Sequence, residues 1–485
     1  MGTRWQRIRL KTIGPTGTFR PMRRMRPLGE APTRRERIVR GSLVAGVIVL
    51  ALLLLLATCG GPTKDAKGDR DGKSTTTGTK ATMPSPSGTS RIPQLPVPAA
   101  YDTGRGWDII DGSPTYAIAE DTGLVAYLSR TDDDRYLIRT VDPATGKADW
   151  NGEPRRTLFP ADRFPRLLTV TTGDNREFFV TWSYGRINQG PGQPSDALIS
   201  LDIYSASDGS VRRVEIPWAD APKVTASGPG LLITDGKATS AVVDPVTGEA
   251  VSVPPGALGY PKGCKECRKL TQVRGTTDKG LLVSGAKEFW VRGGWYSRKV
   301  APKDTDAATG VPASTAGGYI LATWQKKKGA KDARTHEVWA LHDAATGKAV
   351  LQVRCRKPAI TPADDPQLVI SPQGNYLVAG RLAFDLEEKR AYCFEEEDGT
   401  RPLTLATVAD DGTAYGARSA RSAADALAGG GSAPVTVDLA TATPETLARN
   451  VRLPGAEIAG VGLFRWTDGR DRSHLTGFPH RDNWS

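Results

Sequence analysis

The sequence predicts an all-β chain, and three observations carry that prediction. From about residue 107 onward, apolar runs rich in Val, Ile, Leu, Tyr and Trp alternate with Gly, Asp, Pro and Asn turns. Examples are GLVAYLS at 123–129, EFFVTWS at 177–183, GLLIT at 230–234 and YILATW at 319–324. Sustained helical periodicity is absent; the one helix-like stretch, 419–427, runs into Gly429-Gly430-Gly431 and reads as a loop insertion.

The third observation is a recurring phrase: a strand, an Asp, Thr-Gly-Lys or a near equivalent, and a second strand. It occurs as YLIRTVDPATGKADW (136–150), SAVVDPVTGEAVSV (240–253) and EVWALHDAATGKAVLQV (337–353). Weaker copies are SLDIYSASDGSVRRVEI (200–216), LAFDLEEKRAYCF (382–394) and VTVDLATATPETL (435–447). Two antiparallel strands joined by a tight turn explain the pattern: Asp caps the turn by side-chain hydrogen bonding, and Gly supplies its positive-φ position. Asp142, Asp202, Asp244, Asp343, Asp385 and Asp438 recur about every 40 to 60 residues, with room for one degenerate unit near 269–301. A repeat of that length in an all-β chain predicts a β-propeller, here of about seven four-stranded blades, with six and eight left open. The strand at 458–466 is expected to complete the blade opened near Trp107, so that ring closure hides the sheet edges.

Before the propeller stands a membrane signal. Leu43 to Cys59 is an uncharged run of 17 residues, and a helix of that length spans roughly 25 Å, the short end of a bilayer crossing. Residues 1–40 hold twelve Arg/Lys against two Glu, +10 of a whole-chain +12. Positive charge stays on the cytoplasmic side, so the N-terminus is expected inside and the rest of the chain outside a bacterial plasma membrane. The same accounting removes nucleic acid as the expected partner, because residues 41–485 net only +2. The end of the run, Leu56-Ala57-Thr58-Cys59-Gly60-Gly61, resembles the lipobox of bacterial lipoproteins, in which the Cys is lipidated; Thr58 departs from the usual small residue. An uncleaved signal anchor and a lipoprotein lipidated at Cys59 both remain open, with one topology. Residues 62–98 are rich in Gly, Ser, Thr, Pro and Lys and read as a disordered tether, averaging roughly 35 Å end to end. The expected order is a cytoplasmic segment at 1–40, a membrane helix at 41–61, a tether at 62–98, a propeller at 99–470 and a flexible tail at 471–485.

Four Cys lie in the exported part, and an even number there argues for disulfides. Three pairings are possible; Cys264–Cys267 with Cys355–Cys393 is preferred, because the second pair ends one strand-like segment and begins another. CKEC at 264–267 also admits a redox dithiol or half a zinc site, but no second CxxC or nearby His completes a metal tetrahedron.

The Asp-x-x-Thr-Gly-Lys phrases, with an aromatic or aliphatic residue after them, resemble the quinoprotein-like (PQQ-like) β-propeller repeat. LVISPQGNYLV at 368–378 looks closer to a WD-type repeat. The resemblance covers about 107–470 and implies fold rather than activity. In quinone-binding members it implies an axial cofactor beside a disulfide between adjacent Cys; this sequence has no adjacent Cys pair, so no cofactor is expected. The other chemistry-bearing residues read as structural. His336 and His342 share one strand face, His474 and His480 fall in the polar tail, and the acid runs at 132–134, 395–398 and 410–411 sit in turns. Lys326-Lys327-Lys328 to Arg334 forms a basic hairpin tip, suited to anionic lipid or wall polymer or simply to solvent. Trp290 and Trp295, around Gly293-Gly294, are the candidate binding lip. The function expected is a non-catalytic binding or scaffold module for an envelope protein or cell-wall ligand; the alternative is a propeller enzyme, a quinoprotein-type dehydrogenase, lyase or glycan hydrolase, with an axial site.

Overall fold

The structure, a computed structural model, describes residues 92–113, 115–158, 164–187, 196–358, 365–395 and 401–481, and the pair Lys11–Thr12. The apolar run at 43–59, Cys59, the rest of the basic segment and the proposed tether up to residue 91 lie outside the described residues. Among the described residues no helix is long and apolar enough to cross a membrane.

The strands pair into eight sheets, which are eight propeller blades. Blade 1 runs Tyr116–Ala119, Leu124–Arg130, Tyr136–Val141 and Ala148–Asn151. Blade 2 runs Arg166–Thr171, Glu177–Gly185, Leu198–Ser205 and Val211–Pro217. Blade 3 runs Lys223–Thr225, Leu231–Thr234, Ser240–Val243 and Ala250–Val253, with Lys11–Thr12 paired in parallel on its edge. Blade 4 has three strands, Gln272–Thr277, Gly280–Ser284 and Phe289–Val291. Blade 5 runs Val311–Ala316, Tyr319–Gln325, His336–Asp343 and Ala349–Arg356. Blade 6 runs Val369–Ile370, Tyr376–Ala379, Leu382–Asp385 and Arg390–Cys393. Blade 7 runs Leu403–Val408, Thr413–Arg418, Pro434–Asp438 and Thr443–Thr446. Blade 8 takes Ala456–Ile458, Val461–Thr467 and Ser473–Pro479 from the C-terminal end and Trp107–Ile110 from the N-terminal end.

The first strands are innermost: those of blades 1 and 2, 4 and 5, 6 and 7, and 7 and 8 touch one another. An apolar layer fills each gap between neighbours, from Val125 and Leu463 between blades 8 and 1 to Val378 and Leu405 between blades 6 and 7. Because strand direction alternates, first-to-second and third-to-fourth turns leave on one face, the turn face. Second-to-third turns and the links between blades leave on the other, the linker face.

Eight blades replace the expected seven, and the reason is topological. In blade 8 the third and fourth strands come from opposite ends of the chain. No hairpin joins them, so no Asp-x-x-Thr-Gly phrase marks the blade. The degenerate unit near 269–301 is blade 4, whose outer edge is an irregular segment held by Val291 N donating to Trp295 O at 2.9 Å.

The phrase does what its residues predict. Asp142 Oδ1 accepts from Thr145 N at 2.8 Å, Asp244 Oδ1 from Val246 N at 2.8 Å, and Asp343 Oδ1 from Thr346 N at 2.7 Å. Gly146, Gly248 and Gly347 have φ of 66°, 72° and 75°. Asp202 is the exception: it lies within a strand, 2 % exposed, and receives Arg213 Nε and Nη2, both at 2.7 Å, and Tyr136 Oη at 3.0 Å. The turn acid of that unit is Asp208, which accepts from Ser210 N.

Three tryptophans lock one blade to the next. Trp107 Nε1 donates to Pro143 O at 2.6 Å, Trp150 Nε1 to Ala206 O at 3.0 Å and Trp295 Nε1 to Ala344 O at 2.9 Å. Each indole covers the turn glycine of the following blade, Gly146, Gly209 and Gly347.

Two boundary expectations are corrected. Ser473–Pro479 is an interior strand rather than part of a flexible tail at 471–485, because it pairs with both Val461–Thr467 and Trp107–Ile110; His474 and His480 are accordingly buried. The tether does not extend to residue 98: Ile92, Leu95 and Val97 pack on Tyr101, Tyr415 and Phe464, covering the seam between blades 7 and 8.

Candidate functional site

A cleft of about 750 Å³ opens on the linker face between blades 4 and 5. One wall is the turn at 285–288 with Glu266 and Arg298; the other is the hairpin at 326–334 with Asp306, Thr309 and Gln325. The hairpin is ordered by Asp332, which receives Lys326 Nζ and, at 2.9 Å, Arg354 Nη1. The Lys326 hydrogen bond first, and then the charges of Lys326 and Arg354, hold the Asp332 carboxyl below its usual range. The wall of blade 4 is ordered by Glu288, which is 2 % exposed. It receives Arg298 Nη2 at 2.7 Å and the Tyr296 hydroxyl. Glu266 is paired with Lys269 at 2.7 Å and Asp306 accepts from Ala308 N at 3.1 Å, while Lys287, Lys328 and Arg334 line the cleft from both sides and are exposed.

Both disulfides form, Cys264–Cys267 and Cys355–Cys393, with Cα separations of 5.4 and 5.9 Å. The first sits directly behind the cleft: Gly285 packs against the Cys267 backbone so closely that a Cβ there would come within 2.5 Å of it. Glu288 approaches the first pair and Glu395 the second, as three metal ligands would, but the sulfurs are bonded to each other and offer no thiolate.

Trp290 and Trp295 do not form a lip. Trp290 is 2 % exposed and donates to Leu258 O at 2.9 Å; Trp295 is the blade lock over Gly347. Trp290 packs inward, while Trp295 is half-buried against its neighbouring blade. His342 is 0 % exposed, with Nδ1 2.8 Å from Gly347 O and Nε2 accepting from Trp324 Nε1 at 3.3 Å. Burial pushes its imidazole down to about 4, so it stays neutral and braces the turn.

A second cluster lies on the turn face near the axis. Desolvation raises the Glu120 carboxyl to about 8, with the charges of Glu177, Asp410 and Asp121 adding to it, although the side chain is exposed. Glu177 accepts from Thr122 N at 2.9 Å, and Asp410 is also raised by desolvation.

No family model matches the chain, and no curated protein matches it. Solved structures that match include the crystal structure of a mitotic checkpoint complex, at 9 % identity and a TM-score of 0.35, covering 87 % of this chain and 99 % of that one. The β-propeller domain of the Trilobed protease from Pyrococcus furiosus matches at 11 % identity and 0.33, covering 70 % and 98 %. The acylaminoacyl peptidase of Pyrococcus horikoshii matches at 10 % and 0.35, covering 76 % of this chain and 50 % of that one. At these TM-scores the propeller assignment rests on the strand pairing itself.

Proposed function

We propose that the chain is a non-catalytic binding or scaffold module, held outside a bacterial plasma membrane by its N-terminal apolar run, and that the cleft between blades 4 and 5 takes an anionic group of an envelope protein or wall ligand. One observation carries the site: of the acids that line the cleft, Glu288 is paired with Arg298 and Glu266 with Lys269, which leaves Asp306 facing the exposed cations Lys287, Lys328 and Arg334. Cations placed on two different blades across a concave surface fit a multivalent anion better than a single carboxylate. The topology is supported by the +10 charge of residues 1–40 beside an uncharged run, and it requires Lys11–Thr12 to leave the edge of blade 3.

The test uses the full chain in detergent with inorganic polyphosphate as the probe. Lys328→Glu with Arg334→Glu is expected to weaken binding at least about tenfold while leaving the melting temperature unchanged, because both side chains are exposed. Equal affinity in the variant removes the cleft as the site. A second reading, an enzyme working from the axis, draws on the acids Glu120, Asp121 and Asp410 gathered on the turn face, where desolvation and their mutual repulsion raise the Glu120 carboxyl. Turnover of a glycan that Glu120→Gln abolishes would establish that reading.

A further inference from the structure

Charge in the propeller is strongly segregated. Residues 260–335 hold sixteen Lys/Arg against six Asp/Glu, a net +10, whereas the rest of 92–485 holds thirty-one against forty-two, a net −11. The topology puts most of that positive charge on one face. The link from blade 3 to blade 4 carries Lys265, Arg268 and Lys269, the second-to-third turn of blade 4 carries Lys287, and the hairpin of blade 5 carries Lys328 and Arg334; all leave on the linker face. The turn face carries acids instead, among them Glu120, Asp121, Asp410 and Asp411.

The same sector holds the most exposed large apolar side chain described. Leu270 is 81 % exposed, against 42 % for Val350 and 41 % for Val211. Its backbone is left-handed, φ 50°, a conformation unfavourable for leucine. The loop that presents it is rigidly built. Cys264 and Cys267 are bonded, Thr271 Oγ1 donates to Cys267 O at 3.0 Å, and the Arg268 guanidinium lies 4.6 Å above the Tyr260 ring. Leu270 is therefore held away from the core by a stapled loop, with cations on the residues just before it.

The geometry points to an anionic lipid bilayer as the surface this sector docks on, with Leu270 entering the interface and the cations meeting headgroup phosphates. This inference deepens the reading of the cleft as an anion site and rests on it. Charge complementarity selects the occupant: a negative surface attracts the linker face and repels the turn face, so it also fixes orientation. A convex loop with one aliphatic tip suits a fluid interface, whereas protein interfaces centre on aromatic anchors seated in pockets.

The test follows amide hydrogen exchange of the full chain reconstituted in phosphatidylcholine bilayers, with and without about 30 % phosphatidylglycerol. Peptides covering 260–271 and 326–335 are expected to exchange several-fold more slowly only in the anionic bilayers. Leu270→Ser, at an exposed site that folding does not need, should lose the protection of 260–271. Lys265→Glu with Arg268→Glu and Lys269→Glu should return both peptides to the rates in neutral lipid, since each cation contributes roughly fivefold to association with an anionic surface. Equal rates in the two bilayers, or protection of the turn face at 142–147 instead, overturn the proposal. If polyphosphate protects 326–335 while lipid composition has no effect, the cleft remains an anion site and the membrane docking is wrong.

Discussion

The indole of Trp107 occupies the space that a side chain on Gly146 would need: a Cβ there would lie 2.4 Å from Trp107 Cγ. Trp107 belongs to the outer strand of the closing blade and Gly146 to the hairpin turn of blade 1, so this one pair fastens the two ends of the ring. Removing the indole leaves a cavity and an unpaired Pro143 carbonyl. Trp107→Ala is expected to cost about 3–5 kcal/mol, and Gly146→Ala to destabilise as well, by the clash and by its φ of 66°. Urea unfolding of the two variants checks both values; a wild-type midpoint in Trp107→Ala would show that the lock contributes nothing.

Acid should weaken the fold through His342. Burial holds this imidazole near 4, against an ordinary value of about 6.5. Below about pH 6.5 the unfolded chain gains a proton that the folded chain refuses, so stability is complete above that pH and falls as the pH drops toward 4. The loss approaches about 3 kcal/mol. His342→Gln should flatten this limb of the stability–pH curve relative to wild type, whatever the absolute stability of the variant.

The two disulfides should differ in effect. Cys355–Cys393 closes a separation of 38 residues and joins blades 5 and 6, and its removal by Cys355→Ala with Cys393→Ala is expected to cost about 3–4 kcal/mol. Cys264–Cys267 spans a separation of only 3 and constrains the unfolded chain little. Its loss should barely move the melting temperature but should speed hydrogen exchange across 260–271.

Truncation separates a tail from a strand. A chain ending at residue 470 lacks Ser473–Pro479, the strand between Trp107–Ile110 and Val461–Thr467. Loss of cooperative thermal unfolding is expected, where removal of a true tail would leave it intact.

Much of this architecture is legible in the sequence because its signal is local. Asp343, Thr346 and Gly347 form one hairpin turn, and the same three residue types recur at the spacing the turn requires. The closure of 458–466 onto Trp107 is legible, but not that it makes a separate eighth blade, because no hairpin phrase joins its third and fourth strands. Asp202 was misread because a mid-strand acid paired with Arg213 lies at the same repeat spacing as a turn acid. The burial of Trp290 is not legible, because a Gly-Gly between aromatics looks the same in sequence whether a ring points inward or outward. The cationic sector was averaged away: a net of +2 over residues 41–485 conceals opposite charges that only the grouping of loops by face brings apart. Leu270 carries no sequence signal, since its exposure comes from the backbone conformation at the end of a stapled loop.

The construction of blade 8 has a kinetic consequence. Asp108 and His474, which meet at 2.8 Å, are 366 residues apart in the chain. Trp107–Ile110 is among the first strands synthesised and can find its neighbour only when almost the whole chain is available. Until then blade 7 and blade 1 each expose a flank that the closing blade will cover, and the partial ring is prone to association. Pairing at such separation is slow, so ring closure should be the last and rate-limiting event of folding, and chains halted short of residue 479 should accumulate as open, aggregation-prone arcs.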